Sequence, residues 1–392
     1  MTRASLQHWA AQRREEFPAI VNQPGRIYLD SAATTQKPRA VIAAVNDHLK
    51  QGTGNVARGS HWWGKRAGEA VERCRDGVFE LLGDSGAKRG SLAFTSGTTD
   101  GIRRAALDLI LPTLRDGDEI VIPLLDHRAT VEPWSEVVAT AAQSGRRITL
   151  VPMPYDSTGD YNFNRLTSLL TPRTRLVVGT HIHHVFGAEM RISAMRDVVG
   201  REIPILLDAA QSVGHIPVNV RELDVDIFAF SSHKTLAYTG LGAVWTRDER
   251  LPRPRFGGLE GTPNILGALS LSAAIDWLRA ADVGRIAEFV ESLTTHLAHR
   301  LIAIPDIELA GRPGADPPGE YPPRSSLVSF RHRCIPAMDL GFILENAGVS
   351  VRADSLCQSG RPSSDGLVRA SLHVYNTVEE VDHLADLVEK LQ

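Results

Sequence analysis

Lys234 follows an apolar run in the stretch FAFSSHKTLAYTG (228–240), with His233 beside it and a threonine–glycine turn after it. An amine placed where a strand leaves the core either snorkels to water or is held as a nucleophile, and its neighbours decide between the two. Three other polar groups stand at comparable places. SLAFT (91–95) gives way to SGTTDGI, where a small Ser96–Gly97 loop opens a helix at Thr98 and Thr99. Free backbone N–H groups, hydroxyls and the positive end of a helix form an anion cradle there, or an N-cap with no ligand. The motif is neither a P-loop nor GxGxxG. PILLD (204–208) ends on Asp208, a carboxylate that is costly to bury without a cation but harmless at a solvated strand end. EIVIPLLDHRAT puts His127 just past another strand, as a ligand or as a helix cap.

An anion cradle, a carboxylate, an imidazole and a lysine, each closing a strand of one sheet, are what pyridoxal phosphate requires. The cradle clamps the phosphate, the acid keeps the pyridine nitrogen protonated, a flat group covers the ring, and the lysine carries the aldehyde as an imine. Burial after FAF and the adjacent His233 would lower the lysine pKa enough for it to act as a nucleophile.

The elements that must position these groups are legible as short apolar runs alternating with helix-length segments. Besides SLAFT, the runs are EIVIP (119–123), RITLVP (147–152), RLVVGT (175–180), PILLD (204–208), DIFAF (226–230) and LGAVW (241–245). Strands buried on both faces and separated by helices predict an α/β unit with a mostly parallel sheet, whose carboxyl ends bind the ligand. After about 265 the pattern changes. A long helical stretch (ALSLSAAIDW to LIAI) is followed by a Pro/Gly-rich loop (311–323). Then come strands at SSLVSFRH, VSVRA and GLVRASLHV, a helix near PAMDLGFILENAG, and a closing helix from Val378. The expected division is an N-terminal segment (1–24) packing near the smaller unit, a large unit (25–265), and a smaller C-terminal α+β unit (266–392).

The 392 residues suffice for two such units. A formal net charge of −3 gives no global field that favours nucleic acid or an anionic membrane, and no apolar run approaches the ~20 residues of a transmembrane span. The N-terminal stretch, with Leu6, Trp9, Ala10 and Phe17 at near-helical spacing and acids among its arginines, reads as a packed helix of a cytoplasmic protein. Three cysteines, Cys74, Cys334 and Cys357, offer neither a disulfide framework nor a CxxC pair.

The blocks IYLDSAATTQKP, NVARGSHWW, FTSGTTDGI, LLDHRATVEPW, LLDAAQSVGHIPVNVRELDVDIFAFSSHKTLAYTGLG, EGTPN and VRASLHVYNTVEEVDHL together resemble the class V aminotransferase family of PLP fold type I. Within it, the chain is similar to the cysteine desulfurases of the selenocysteine-lyase-like group. The resemblance implies a large domain with a mostly parallel mixed sheet plus a smaller C-terminal α+β domain. It implies that Lys234 binds the cofactor covalently, Asp208 pairs with the pyridinium nitrogen, Gln211 lies near the ring hydroxyl and His127 stacks on the ring. Thr98, Ser231 and His233 would hold the phosphate, joined by Thr262 from a second subunit, hence a homodimer with a shared site. Arg369 would pair bidentately with the α-carboxylate of an amino-acid substrate, with Arg352 a second candidate. Cys357 falls where these desulfurases keep the cysteine that takes sulfur as a persulfide and releases alanine.

Three departures bear on the substrate. The residues around the cysteine read ADSLCQSG where the family has a Gly-His-His lead, and no His or Lys adjoins Cys357 in sequence. His184, in THIHHVFGAE, stands where the family usually has an asparagine near cofactor and substrate oxygens, and Ala57 where a histidine is common. The sequence therefore favours a C–S lyase that eliminates a thiol from a cysteine S-conjugate, leaving pyruvate and ammonia. A cysteine desulfurase acting through Cys357 is the first alternative. Epimerisation, decarboxylation or oxidative deamination with His184 as acid/base is the second.

Overall fold

A computed structural model of the chain describes residues 3–56, 61–86, 90–156, 159–247, 263–311, 324–359 and 366–391. Its strands in chain order are β1 (Ile27–Tyr28), β2 (Ser91–Thr95), β3 (Glu119–Ile122), β4 (Thr149–Pro152), β5 (Thr174–Thr180), β6 (Ile205–Asp208), β7 (Ile227–Ser231) and β8 (Gly242–Thr246). The C-terminal part adds β9 (Ile307–Leu309), β10 (Leu327–His332), β11 (Val349–Ser350), β12 (Arg352–Asp354) and β13 (Leu367–Ser371).

The seven runs read from the sequence are the seven strands of one sheet, ordered β2-β8-β7-β6-β5-β3-β4. Every neighbour pair from β4 to β7 is parallel, and β8 runs antiparallel to both β7 and β2. β2 therefore points the same way as β7. Six strands end at one edge of the sheet, and only β8 begins there. Strands β3, β6, β7 and β8 are buried along their whole length. That burial on both faces explains why they read as unbroken apolar runs.

The smaller sheet, β12-β13-β10-β9, is antiparallel. Two features depart from the sequence expectation. VSVRA is not one strand: it breaks at Val351, so that β11 pairs in parallel with β1 while β12 joins β13. The stretch Ile27–Tyr28 is thereby joined to β11 by backbone hydrogen bonds. The long helical stretch is likewise two helices, Ile265–Ala281 and Val283–Ile302. Asp282 divides them at a positive φ of 69° and caps the second, its Oδ1 accepting from Gly284 N at 3.0 Å. Among the described residues no helix is long and apolar enough to cross a membrane.

Candidate active site

The shared strand edge opens onto a cavity of about 240 Å³. Thr98, His127, His184, Asp208, Gln211, Ser231, His233, Lys234, Arg352 and Arg369 all line it. Of the candidate catalytic, cofactor-binding and substrate-binding residues that the structure describes, Cys357 does not line it. Thr262 and Ala57 lie outside the described residues; Cys357 sits one contact away, on Arg352.

The groups arrive from several strand ends. After β2, Thr98 begins a helix (Thr98–Arg104), and both its backbone N–H and its hydroxyl meet Ser231 Oγ, at 2.8 and 2.7 Å. The two hydroxyls close a small polar cradle at a helix start. The backbone there is tightly packed: a Cβ on Gly242 would lie 2.6 Å from Gly97 Cα and from Phe230 O. Asp208 ends β6, 5% exposed, and accepts from Thr130 Oγ1 at 2.6 Å and from Ala210 N at 2.9 Å. Burial pushes its carboxyl pKa up, against these donors and the Lys234 charge.

Lys234 closes the short helical turn after β7. Burial depresses its pKa to about 8; Asp208 opposes the shift, and Arg369 and Arg352 reinforce it. Its amine makes no hydrogen bond or ion pair with the described residues. The turn itself is braced from the N-terminal segment, with Thr34 Oγ1, Thr35 N, Thr35 Oγ1 and Lys37 Nζ all donating to His233 O. These threonines and Lys37 are the TTQK of the first motif block.

His127 caps the helix Arg128–Gln143, its Nδ1 accepting from Ala129 N at 3.1 Å, which leaves the proton on Nε2. Burial, then Lys234 and the arginines, lower its pKa to about 3. Burial first, then Lys234 and Lys37, lower His233 to about 4, and burial takes His184 well below the usual value. These lowered values favour the neutral form of His127, His184 and His233. His184 stands edge-on to His127 (5.1 Å between centroids) and stacked on His183 (5.0 Å). His183 is fixed from below: its Nδ1 accepts from Val185 N and Phe186 N, and its Nε2 lies 3.1 Å from Asp126 Oδ1. Tyr155 and Tyr161 also donate to Asp126. This support beneath His184 was not foreseen, although the HIHH run was a usable signal.

β12 and β13 bring the two arginines directly opposite one another in register. Arg369, 1% exposed, donates to His184 O at 3.1 Å and pairs with Asp30 Oδ1 at 3.2 Å. Arg352 is held bidentately by Asp354, and its Nη2 donates to Cys357 Sγ at 2.9 Å. The sulfur thus has a cationic neighbour that local sequence did not reveal. Leu356 and Cys357 both take left-handed φ values, 55° and 56°. Such conformations cost about 1–3 kcal/mol each for residues with side chains. The loop is held by Asp354 Oδ1, which accepts from Leu356 N, and by Arg128 N and Ser359 N, which donate to Cys357 O and Asp126 O.

Pyridoxal phosphate fits this donor set. Gln211 Oε1, His184 Nε2 and Arg369 Nε are buried with no hydrogen-bond partner among the described residues. Asp208 has only neutral hydrogen-bond donors and suits a pyridinium, and the free amine of Lys234 shares the cavity with the hydroxyl cradle. A buried polar atom with no partner calls for a ligand or water. The fold and the cavity together define a fold-type-I pyridoxal phosphate enzyme.

The chain belongs to the class-V aminotransferase family, whose model matches residues 27–384. It is 32% identical to a probable cysteine desulfurase of Vibrio cholerae serotype O1, over 96% of this chain and 97% of that protein. It is 31% identical to a cysteine desulfurase of Escherichia coli O127:H6 with the same coverage. The crystal structure of the cysteine desulfurase CsdA from Escherichia coli superposes with a TM-score of 0.82 at 28% identity, covering 97% of this chain and 98% of that one. An apo cysteine desulfurase from Thermococcus onnurineus NA1 gives 0.85 at 26% identity, covering 97% of each chain. The fold-type-I architecture and the cofactor expected from the sequence are those of this family.

Proposed function

We propose that the protein is a cysteine desulfurase, taking the sulfur of L-cysteine onto Cys357 and releasing alanine. The observation that carries this reading is the 2.9 Å contact from Arg352, a cavity-lining residue, to Cys357 Sγ. It puts a thiol beside the cavity that holds Lys234 and Arg369. The S-conjugate lyase favoured by the sequence gives way to the alternative, which the relatives named above also support. The missing His or Lys neighbour of Cys357, which argued against it, has a substitute in Arg352.

When bound, the cofactor supplies an electron sink for the bonds at the substrate's Cα. Arg369 orients the amino acid through its carboxylate. Lys234, with its pKa near 8, exchanges the Cα proton as a neutral amine. The half-buried Cys357 attacks the substrate sulfur: an S–S bond forms to Sγ, the C–S bond breaks, and its electron pair stays on Cβ, which takes up a proton. The products are a persulfide and alanine, and no external oxidant is consumed. A cytoplasmic location keeps such a thiol reduced. Exposed Trp62, Trp63, Leu124 and Leu125 are apolar surface that a second copy would cover, which supports a homodimer.

The test is product analysis with L-cysteine and a reductant. Alanine and sulfide in equal amounts, lost in Cys357→Ala, support the reading. Pyruvate and ammonia, unchanged in Cys357→Ala, overturn it in favour of β-elimination. The unpartnered Nε2 of buried His184 is the feature that favours that second reading.

A further inference from the structure

We infer that Asp30 is a positioning residue for substrate binding: it holds the Arg369 guanidinium in the orientation that meets an amino-acid carboxylate. The inference rests on the assignment of Arg369 to that carboxylate.

Arg369 is buried to 1% exposure, and a buried guanidinium persists only if it is paired. Its cross-strand neighbour is no help, because Arg352 stands opposite it on β12 and like charges directly opposite repel. Among the described residues Asp30, 3.2 Å from Nη2, is the carboxylate paired with it. The neutral second contact, His184 O on Nη1, fixes the plane of the fork. With Nη1 and Nη2 tethered on these two groups, Nε is left buried and unpartnered. That donor and the remaining N–H of the fork are available to a ligand carboxylate.

Asp30 is itself rigidly placed. Leu29 N donates to Ser350 O, Ser371 N to Leu29 O at 2.7 Å, and Ala32 N to Ser371 Oγ at 2.9 Å. Asp30 is bridged to Ser371, two residues beyond Arg369 on the same strand. The acid and the arginine are 339 residues apart in sequence yet sit on adjacent, hydrogen-bonded segments. The contact explains chemically why an acid stands in the first motif block, IYLDSAATTQKP, where no role had been assigned to it.

The test measures ligand binding by the holoenzyme rather than turnover. The bound cofactor's absorbance is titrated with L-alanine, which carries a carboxylate, and with ethylamine, which does not. In Asp30→Ala the dissociation constant for alanine should rise about 10- to 100-fold, the loss expected for a charge-assisted hydrogen bond. The constant for ethylamine should change less than about threefold, and the unliganded spectrum should be unaltered. Asp30→Asn, which keeps shape and an acceptor oxygen but not the charge, should fall between Asp30→Ala and wild type and guards against a folding defect in the alanine variant. Equal losses for both ligands, or none for either, overturn the inference. A wild-type enzyme that binds alanine no better than ethylamine overturns the Arg369 assignment, and this inference with it. Neither result depends on what becomes of the sulfur, so a failure of the desulfurase reading remains separate.

Discussion

Arg352 donates to Cys357 Sγ at 2.9 Å while standing opposite Arg369 on the neighbouring strand. One ladder of the small sheet therefore presents Arg369 and the Arg352–Cys357 pair side by side at a cavity that the strand ends of the large sheet also line. In the proposed function, this places the group that orients the substrate next to the one that holds the accepting thiol.

Removing the link should separate the two tasks. In Arg352→Ala, persulfide formation from L-cysteine is expected to slow about 10- to 100-fold, the worth of a hydrogen bond to a charged donor. The cofactor spectrum should not change. Rapid-quench measurement of alanine against visible absorbance distinguishes the two effects.

Cofactor capture should follow the protonation of Lys234. Its pKa is lowered from 10.5 to about 8, and only the neutral amine attacks an aldehyde. The rate at which apoenzyme regains its chromophore should therefore rise with pH and level off above about 8. A rise that continues to 10.5 would mean that the amine is not desolvated.

Gly242→Ala should damage the Thr98–Ser231 hydroxyl cradle, the proposed seat of the cofactor phosphate, without touching any polar group in it. The added methyl would lie 2.6 Å from the backbone of Gly97 and of Phe230, so the loop before Thr98 must shift. Equilibrium dialysis should find cofactor affinity reduced about 10-fold or more, with the loss appearing before any loss of secondary structure.

Stability and chemistry can be separated at Asp84. Its buried carboxylate accepts from Trp245 Nε1 (2.7 Å), Gly90 N (2.7 Å) and Arg221 Nε (2.6 Å), none of which lines the cavity. Asp84→Ala leaves a fully buried indole N–H unpaired and should cost about 3 kcal/mol. The urea midpoint should fall while kcat per folded molecule is kept.

The large sheet was readable because burial on both faces leaves unbroken apolar runs, and because polar residues at the ends of those runs stand out. Lys234, Asp208, Thr98 and His127 were found that way. A motif block brought in Arg369, and the family resemblance brought in Arg352 and Cys357, whose neighbours in sequence say little about their surroundings. What escaped detection depends on long-range pairing. Asp30 meets Arg369, and Lys37 braces the His233–Lys234 turn, only after β1 joins β11 and the N-terminal segment folds over the cavity. Asp126 and His183 form their buried contact across two strand ends that no periodicity connects. The break at Val351 was hidden because VSVRA is equally apolar on both sides of the point where it changes partners.

The most direct measurement is peptide mass analysis after a single turnover with L-cysteine. One added sulfur atom is expected on the peptide carrying Cys357, with one equivalent of alanine in solution. An unmodified Cys357 peptide accompanied by an equivalent of pyruvate would contradict the desulfurase reading.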